Sequence, residues 1–166
     1  PKPKLHIHVG LGLISNQKCD LVIQKAVELG VSAFTLLLSD NSQAWQTDKA
    51  TKKMVHWQQV VISATEQCGR SDLMQLHAPM PIEGFFALDA DHKYICVPES
   101  QSKSDSTTPQ SLLLAIGPEG GFNEEECHAA SAAGFMPHCL GPRVLRAETA
   151  VISAISLMQF QFGDFV

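Results

Sequence analysis

The stretch LLLAIGPEGGFNEEE, residues 112–126, decides how the chain is read. Its apolar run, Leu112 to Ile116, has the length of a strand buried on both faces. The run stops at Gly-Pro-Glu-Gly-Gly, residues 117–121, after which Asn123 and three consecutive glutamates open a helix. A strand leading through a glycine loop into a helix is the unit of an open parallel α/β sheet, and such sheets bind ligands beyond the carboxyl ends of their strands. The loop has neither a GxxxxGK[ST] nor a GxGxxG pattern. Glu124, Glu125 and Glu126 favour the helix dipole but would repel phosphate. With Glu119 inside it, the loop suits a neutral or cationic ligand lying flat against glycine backbone, such as a sulfonium compound carrying a nucleoside. The plain alternative is a tight turn whose glycines supply positive φ and whose glutamates only cap a helix.

Working outward, strands and helices alternate. Residues 5–13 read as a strand, and residues 20–29 as a helix with Leu21, Ala26 or Val27, and Leu29 at helical spacing before Gly30. A buried strand follows at 33–38. Residues 47–68 form a long helix, with Thr47 or Asp48 as N-cap and Trp57, Val61, Ala64, Thr65 and Cys68 along one face. Pro79 and Pro81 break the chain; a short helix is expected over 82–89 and a short strand over 94–97. Residues 98–111 are polar and Ser/Thr-rich, a loop. After the opening stretch come a helix over 123–133, a strand over 136–140, a loop over 141–146 and an apolar helix over 147–160, expected to lie inside the domain. The pattern predicts an α/β fold with a mostly parallel sheet and helices on both faces.

The chain has 166 residues, 45% hydrophobic and 17% charged, which suits one domain with a sizeable core. No apolar run approaches the ~18 residues of a membrane span, and PKPKLHIHVG at the start has no signal-peptide core, so a soluble, cytoplasmic setting is expected. The net charge of −5 argues against a general electrostatic grip on nucleic acid. Cys19, Cys68, Cys96, Cys127 and Cys139 are widely spaced and read as reduced, mostly buried thiols. Cys127-His128 and His138-Cys139 are adjacent pairs whose side chains diverge, so no metal site is expected.

A second loop stands out, CLGPRVLRAETA at residues 139–150. Arg143 and Arg146 precede a helix begun by Glu148 and Thr149, and two guanidiniums at a helix N-terminus oppose its dipole. Either ion pairs offset this, Arg146 with Glu148 or Arg143 with Glu119, or the arginines face an anionic substrate and stabilise a developing oxyanion.

IGPEGGFNEEE followed by LGPRVLRAETA resembles the paired signature of the RsmE family, ribosomal small-subunit RNA methyltransferases of the knotted SPOUT superfamily that act on N3 of a uridine. VIQKAVELGVSAFTLLLSD at 22–40 and HWQQVVISATEQCGR at 56–70 fit as well, so the resemblance covers nearly the whole chain. It implies a deep C-terminal trefoil knot, S-adenosylmethionine as cofactor, 16S ribosomal RNA of the small subunit as substrate, and a homodimer. It also implies a single methyltransferase domain over 1–166, without the β-barrel RNA-binding domain with which family members begin. Alternatives are a knotted methyltransferase with another RNA target, such as a ribose 2′-hydroxyl, and a non-catalytic RNA-binding or assembly module.

By the same resemblance the cofactor lies among Pro98 and Glu99, the loop with Gly117, Glu119, Gly120 and Gly121, and the loop with Leu140, Gly141, Val144, Leu145 and Arg146, with Thr149 nearby. The backbone of Leu140, Gly141, Val144 and Leu145 would hold the adenine. Uracil N3 must lose its proton to attack, which leaves charge on the flanking carbonyls; Arg146 is the first candidate to stabilise it. Glu119, Glu148 and Glu66 are unranked candidates to accept the proton. Glu66, Gln67 and Arg70, with Gln24, Lys25 and Arg143, are the expected RNA contacts. Against this, Glu66 and Arg70 stand four apart, as in an ordinary surface ion pair. Trp45 and Trp57 could stack bases, though Trp57 falls on the apolar face.

Overall fold

Strands in this chain alternate between two buried faces, and that alternation builds the molecule. The computed structural model describes residues 2–38, 47–98 and 106–165, with side chains for all of these except 16 and 47–51. The elements are β1 (His6–Gly12), α1 (Asn16–Glu28), β2 (Ala33–Leu38), α2 (Thr47–Cys68), β3 (Gln75–Leu76), β4 (Met80–Pro81), α3 (Ile82–Phe86), β5 (His92–Cys96), β6 (Ser111–Ile116), α4 (Glu124–Ala132), β7 (Met136–His138) and α5 (Ala147–Phe162). The sheet runs in the order β3-β2-β1-β6-β5-β7, with β4 also on β2, and every pairing is parallel.

Ile7, Val9 and Leu11 of β1 and Leu112, Leu114 and Ile116 of β6 point into a core shared with α1, α2 and α5. The intervening Leu113 and Ala115 point the other way, into a second core with Phe85, Phe86, Ala130 and Phe135 from the α3 and α4 side. Period-two side-chain direction in strands covered on both faces explains why their sequences are apolar throughout. Gly10 of β1 sits where a Cβ would lie 2.7 Å from the Phe85 ring, so this strand position has room for hydrogen only.

Several expectations are corrected. α1 begins at Asn16, earlier than expected; its buried face is Cys19, Val22, Ile23, Ala26 and Val27, while Leu21 is exposed. The segment around Pro79 and Pro81 does not merely interrupt the chain, since Met80 and Pro81 pair with Leu37 and Leu38 at the β2 edge. α5 is not an interior helix. Val151, Ala154, Ile155 and Met158 are buried and the helix packs on α1, but Leu157 and Phe160 face out. Gln159 ties the two helices together through Nε2, which donates to the Leu29 carbonyl at 2.7 Å. The five cysteines are free, but only Cys19 is fully buried. The N-cap side chains expected at Thr47 or Asp48, and Trp45, lie outside the described residues; Trp57 is buried and donates through Nε1 to Asp20 Oδ1 at 3.0 Å.

Candidate functional site

Three neighbouring strands end together: Cys96 of β5 is in register with Ile116 of β6 on one side and His138 of β7 on the other. These residues floor a cavity of about 180 Å³ at the carboxyl ends of the strands. The chain leaving β6 supplies one wall with Gly117, Pro118, Glu119, Gly120 and Gly121. The chain leaving β5 supplies Val97 and Pro98, and the chain leaving β7 supplies Leu140, Gly141, Arg143, Val144 and Leu145. Ala147 and Ala150 of α5 close the back.

The first wall is folded tightly on itself. Gly121, at φ 72°, donates its N–H to the Pro118 carbonyl at 2.8 Å. The end of β1 abuts it, because a Cβ on Gly12 would lie 2.5 Å from the Pro118 backbone nitrogen. Beyond the turn, Asn123 and Glu126 form a reciprocal cap: Asn123 Oδ1 accepts from the Glu126 N–H at 2.8 Å, and Glu126 Oε2 accepts from the Asn123 N–H at 2.9 Å. Two of the donors at that helix start are therefore satisfied by its own side chains, and its three glutamates disfavour an anion there.

Charge at the rim is organised by a residue the sequence reading did not single out. Lys18 Nζ donates to Glu119 Oε1 at 2.6 Å and lies 3.5 Å from Glu148 Oε2. The hydrogen bond to Glu119 chiefly holds the Lys18 pKa above its usual value. Glu148 is held below the usual carboxylate range, first by its own backbone N–H and then by Lys18 and Arg146. Its Oε2 is buried without a hydrogen-bond partner, since 3.5 Å to Lys18 makes an ion pair but no hydrogen bond. The stapling pairs of Arg146 with Glu148 and Arg143 with Glu119 do not form; among the described residues neither arginine pairs with a carboxylate, because Lys18 takes both.

His138 is the other residue missed. It lines the cavity, and its Nε2 is buried with no hydrogen-bond partner. Burial lowers its pKa, so the ring is neutral at neutral pH. The Cys96 thiol beside it is pushed up to about 12, by burial and then by Cys139, and forms a neutral wall. The sequence signal is present, since His138 stands two residues before Leu140 and Gly141, but along the chain its pairing with Cys139 points only to the question of a metal site.

Of the expected cofactor residues, Pro98, Gly117, Glu119, Gly120, Gly121, Leu140, Gly141, Val144 and Leu145 line the one cavity. Arg146 and Thr149 sit at the α5 start without lining it, as does Glu148, a candidate proton acceptor, and Glu99 lies outside the described residues. Gln24, Glu66 and Gln67 are exposed on α1 and α2, and Lys25 pairs with Glu28 at 2.9 Å. Arg70 is a correction. Its side chain is 5% exposed, NH1 donates to the Val27 and Val31 carbonyls at 2.9 Å, and Nε and NH2 reach Asp72. It therefore neither pairs with Glu66 nor presents a charge to RNA. Among the described residues no three His, Cys, Asp or Glu side chains group to hold a metal, and no helix is long and apolar enough to cross a membrane.

A family model for the RNA methyltransferase domain matches residues 1–159. The ribosomal RNA small subunit methyltransferase E of Buchnera aphidicola subsp. Schizaphis graminum is 38% identical over 167 residues, covering 96% of this chain and 67% of that protein. Its namesake in Bacillus subtilis is 31% identical over 173 residues, 95% of this chain and 66% of that one. A Legionella pneumophila protein in complex with the cofactor SAM superposes with a TM-score of 0.93 at 38% identity, over 98% of this chain and 69% of that one. The ribosomal RNA small subunit methyltransferase E of Neisseria gonorrhoeae, bound to S-adenosyl methionine, superposes with a TM-score of 0.89 at 32% identity, over 100% of this chain and 70% of that one. The chain belongs to the RNA methyltransferase domain family and, within it, to the ribosomal RNA small subunit methyltransferases E. It spans about two thirds of the length of these relatives.

Proposed function

We propose that this chain is the methyltransferase domain, single over 1–166, of an enzyme that moves the methyl group of S-adenosylmethionine to N3 of a uridine in 16S ribosomal RNA. The observation that carries the reading is the meeting of both glycine-bearing loops over the ends of β5, β6 and β7, in a fold whose relatives hold that cofactor. The lining fits it: glycine backbone on one side, apolar Leu140, Val144 and Leu145 on another, neutral Cys96, and one unpartnered ring nitrogen at His138.

When bound, the cofactor supplies an electrophilic methyl group on a sulfonium. The chain's own work is to position the base and to handle one proton. Arg146, exposed beside the cavity, stabilises the uridine anion. Glu119 is the better proton acceptor, because it lines the cavity and is exposed, whereas Glu148 does not line it and Glu66 lies on α2. Gln24, Lys25, Glu66, Gln67 and Arg143 are the RNA-facing candidates, whereas Arg70 is turned inward.

A homodimer is supported by Leu157 and Phe160, three apart on the outer face of α5, and by Val144, which is 88% exposed in the cavity loop. A trefoil knot is supported by the path of the last segment. It leaves β7 at the sheet edge and returns past β5 and β6 to lay α5 on α1. With ribosomal RNA as substrate, the reaction belongs to the cytoplasm.

The test is methylation of small subunits from a strain lacking the endogenous enzyme, read by nucleoside mass spectrometry. N3-methyluridine is expected; a ribose-methylated product would favour the alternative enzyme, and no product with cofactor bound would favour a binding module.

A further inference from the structure

We infer that His138 is a specificity residue of the cavity, its Nε2 hydrogen-bonding the nucleoside half of the ligand. This rests on the cofactor reading above and goes beyond it by giving one side chain of this chain a recognition role.

A buried polar atom without a partner is costly, and native structures keep few of them. Here two side-chain atoms are so placed among the described residues, His138 Nε2 and Glu148 Oε2. Glu148 at least has Lys18 at 3.5 Å. His138 Nε2 has no such neighbour, and His138 lines the cavity between the two loops. Its backbone is held, because its carbonyl accepts from the Val97 N–H at 3.1 Å. Tyr94 meets its ring edge-on at 5.8 Å between centroids. The ring is thus braced against β5, and a small turn of the imidazole, with the strand fixed, is what brings Nε2 to a ligand.

Its surroundings select which part of the ligand it meets. His138 is in register with Cys96, which is itself in register with Ile116, and it bonds the Val97 backbone, so it stands at the apolar strand ends, whereas Glu119 and Arg143 come from the loops. A flat base and its sugar belong at the apolar end, and a zwitterionic amino-acid tail belongs near the rim charges. A neutral imidazole carries one N–H and one lone pair, which suits the neutral donors and acceptors of a nucleoside.

The test is calorimetry at pH 7.5 with two probes, S-adenosylhomocysteine, which has both halves, and methylthioadenosine, which lacks the amino-acid half. His138→Phe should bind both about tenfold more weakly, and His138→Gln should regain part of the loss. In wild-type protein, the His138 Nε2 resonance should shift on adding either probe, a readout independent of how the variants fold. The inference is overturned if His138→Phe binds both probes as wild type does, if only S-adenosylhomocysteine binding suffers, or if the resonance does not move. Failure of wild type to bind either probe would instead overturn the cofactor reading itself.

Discussion

Lys18 Nζ lies 2.6 Å from Glu119 Oε1, although 101 residues separate them in the chain. The same nitrogen reaches Glu148 at 3.5 Å, so one side chain on the first turn of α1 links the wall after β6 to the start of α5. A lysine at a helix N-terminus opposes the dipole, and both Lys18 and Glu119 are solvated, so the contact adds little stability. Its consequence is positional. Lys18→Met should raise the KM for cofactor by about 3- to 10-fold while leaving the urea midpoint close to that of wild type. Lys18→Arg, which keeps the cation between Glu119 and Glu148, should recover part of the loss; an unchanged KM in Lys18→Met would sink the idea.

Arg146→Ala should lower kcat by about 100-fold with cofactor affinity retained, because the proposed mechanism needs its charge only as the uridine anion develops. Calorimetry and single-turnover kinetics separate the two quantities. Normal turnover in a variant that still binds cofactor would remove the role.

Gly12 is pressed against the cofactor wall, where a Cβ would lie 2.5 Å from the Pro118 nitrogen. Gly12→Ala must push the loop or the strand end aside, so cofactor affinity should fall by at least about tenfold and stability by about 1–3 kcal/mol. Gly120, where a Cβ meets nothing within 4 Å, is the control: Gly120→Ala should leave stability within about 0.5 kcal/mol of wild type. Urea titration of both variants checks the contrast.

Arg70 joins the loop after α2 to the end of α1 through two carbonyls and Asp72. Arg70→Met would leave the Val27 and Val31 carbonyls without that donor and Asp72 without its partner, at a cost of about 2–4 kcal/mol. Glu66→Ala and Gln67→Ala, both on the exposed side of α2, should cost less than about 0.5 kcal/mol. Equal denaturation midpoints for Arg70→Met and wild type would contradict the buried role.

His8 is 8% exposed, and its Nε2 meets Thr35 Oγ1 at 2.8 Å. Burial first, then charge on His77 and His6, lowers its pKa from 6.5 to about 4. The unfolded chain therefore takes up a proton at pH values where the folded chain does not. Stability from this residue is present above pH 6.5 and is lost as pH falls towards 4, by about 3 kcal/mol in total. His8→Gln should flatten the urea stability profile across that window by a similar amount; parallel profiles would show that another group titrates.

Much of this could be read along the chain. Leu112 to Ile116 announces a doubly buried strand, because five apolar residues bounded by polar and glycine positions have few other folded solutions. The walls of the cavity were also visible, since Gly117, Gly120, Gly121 and Gly141 punctuate the chain just past strand ends. These are local signals, carried by near neighbours. What had to wait for the tertiary structure were the partners. α2 ends where the sequence says it should, yet Arg70 turns inward because the carbonyls ending α1 happen to face it. β3 and β4 are two residues each and exist only because the β2 edge accepts them. Glu119 meets Lys18 rather than Arg143 because β6 lies beside β1, which brings the loop after one strand to the helix after the other. Side-chain chemistry and the long apolar strands are written in the sequence; where the short strands lie, which charge answers which, and which nitrogen is left for a ligand are decided by strand order, through contacts between residues far apart in the chain.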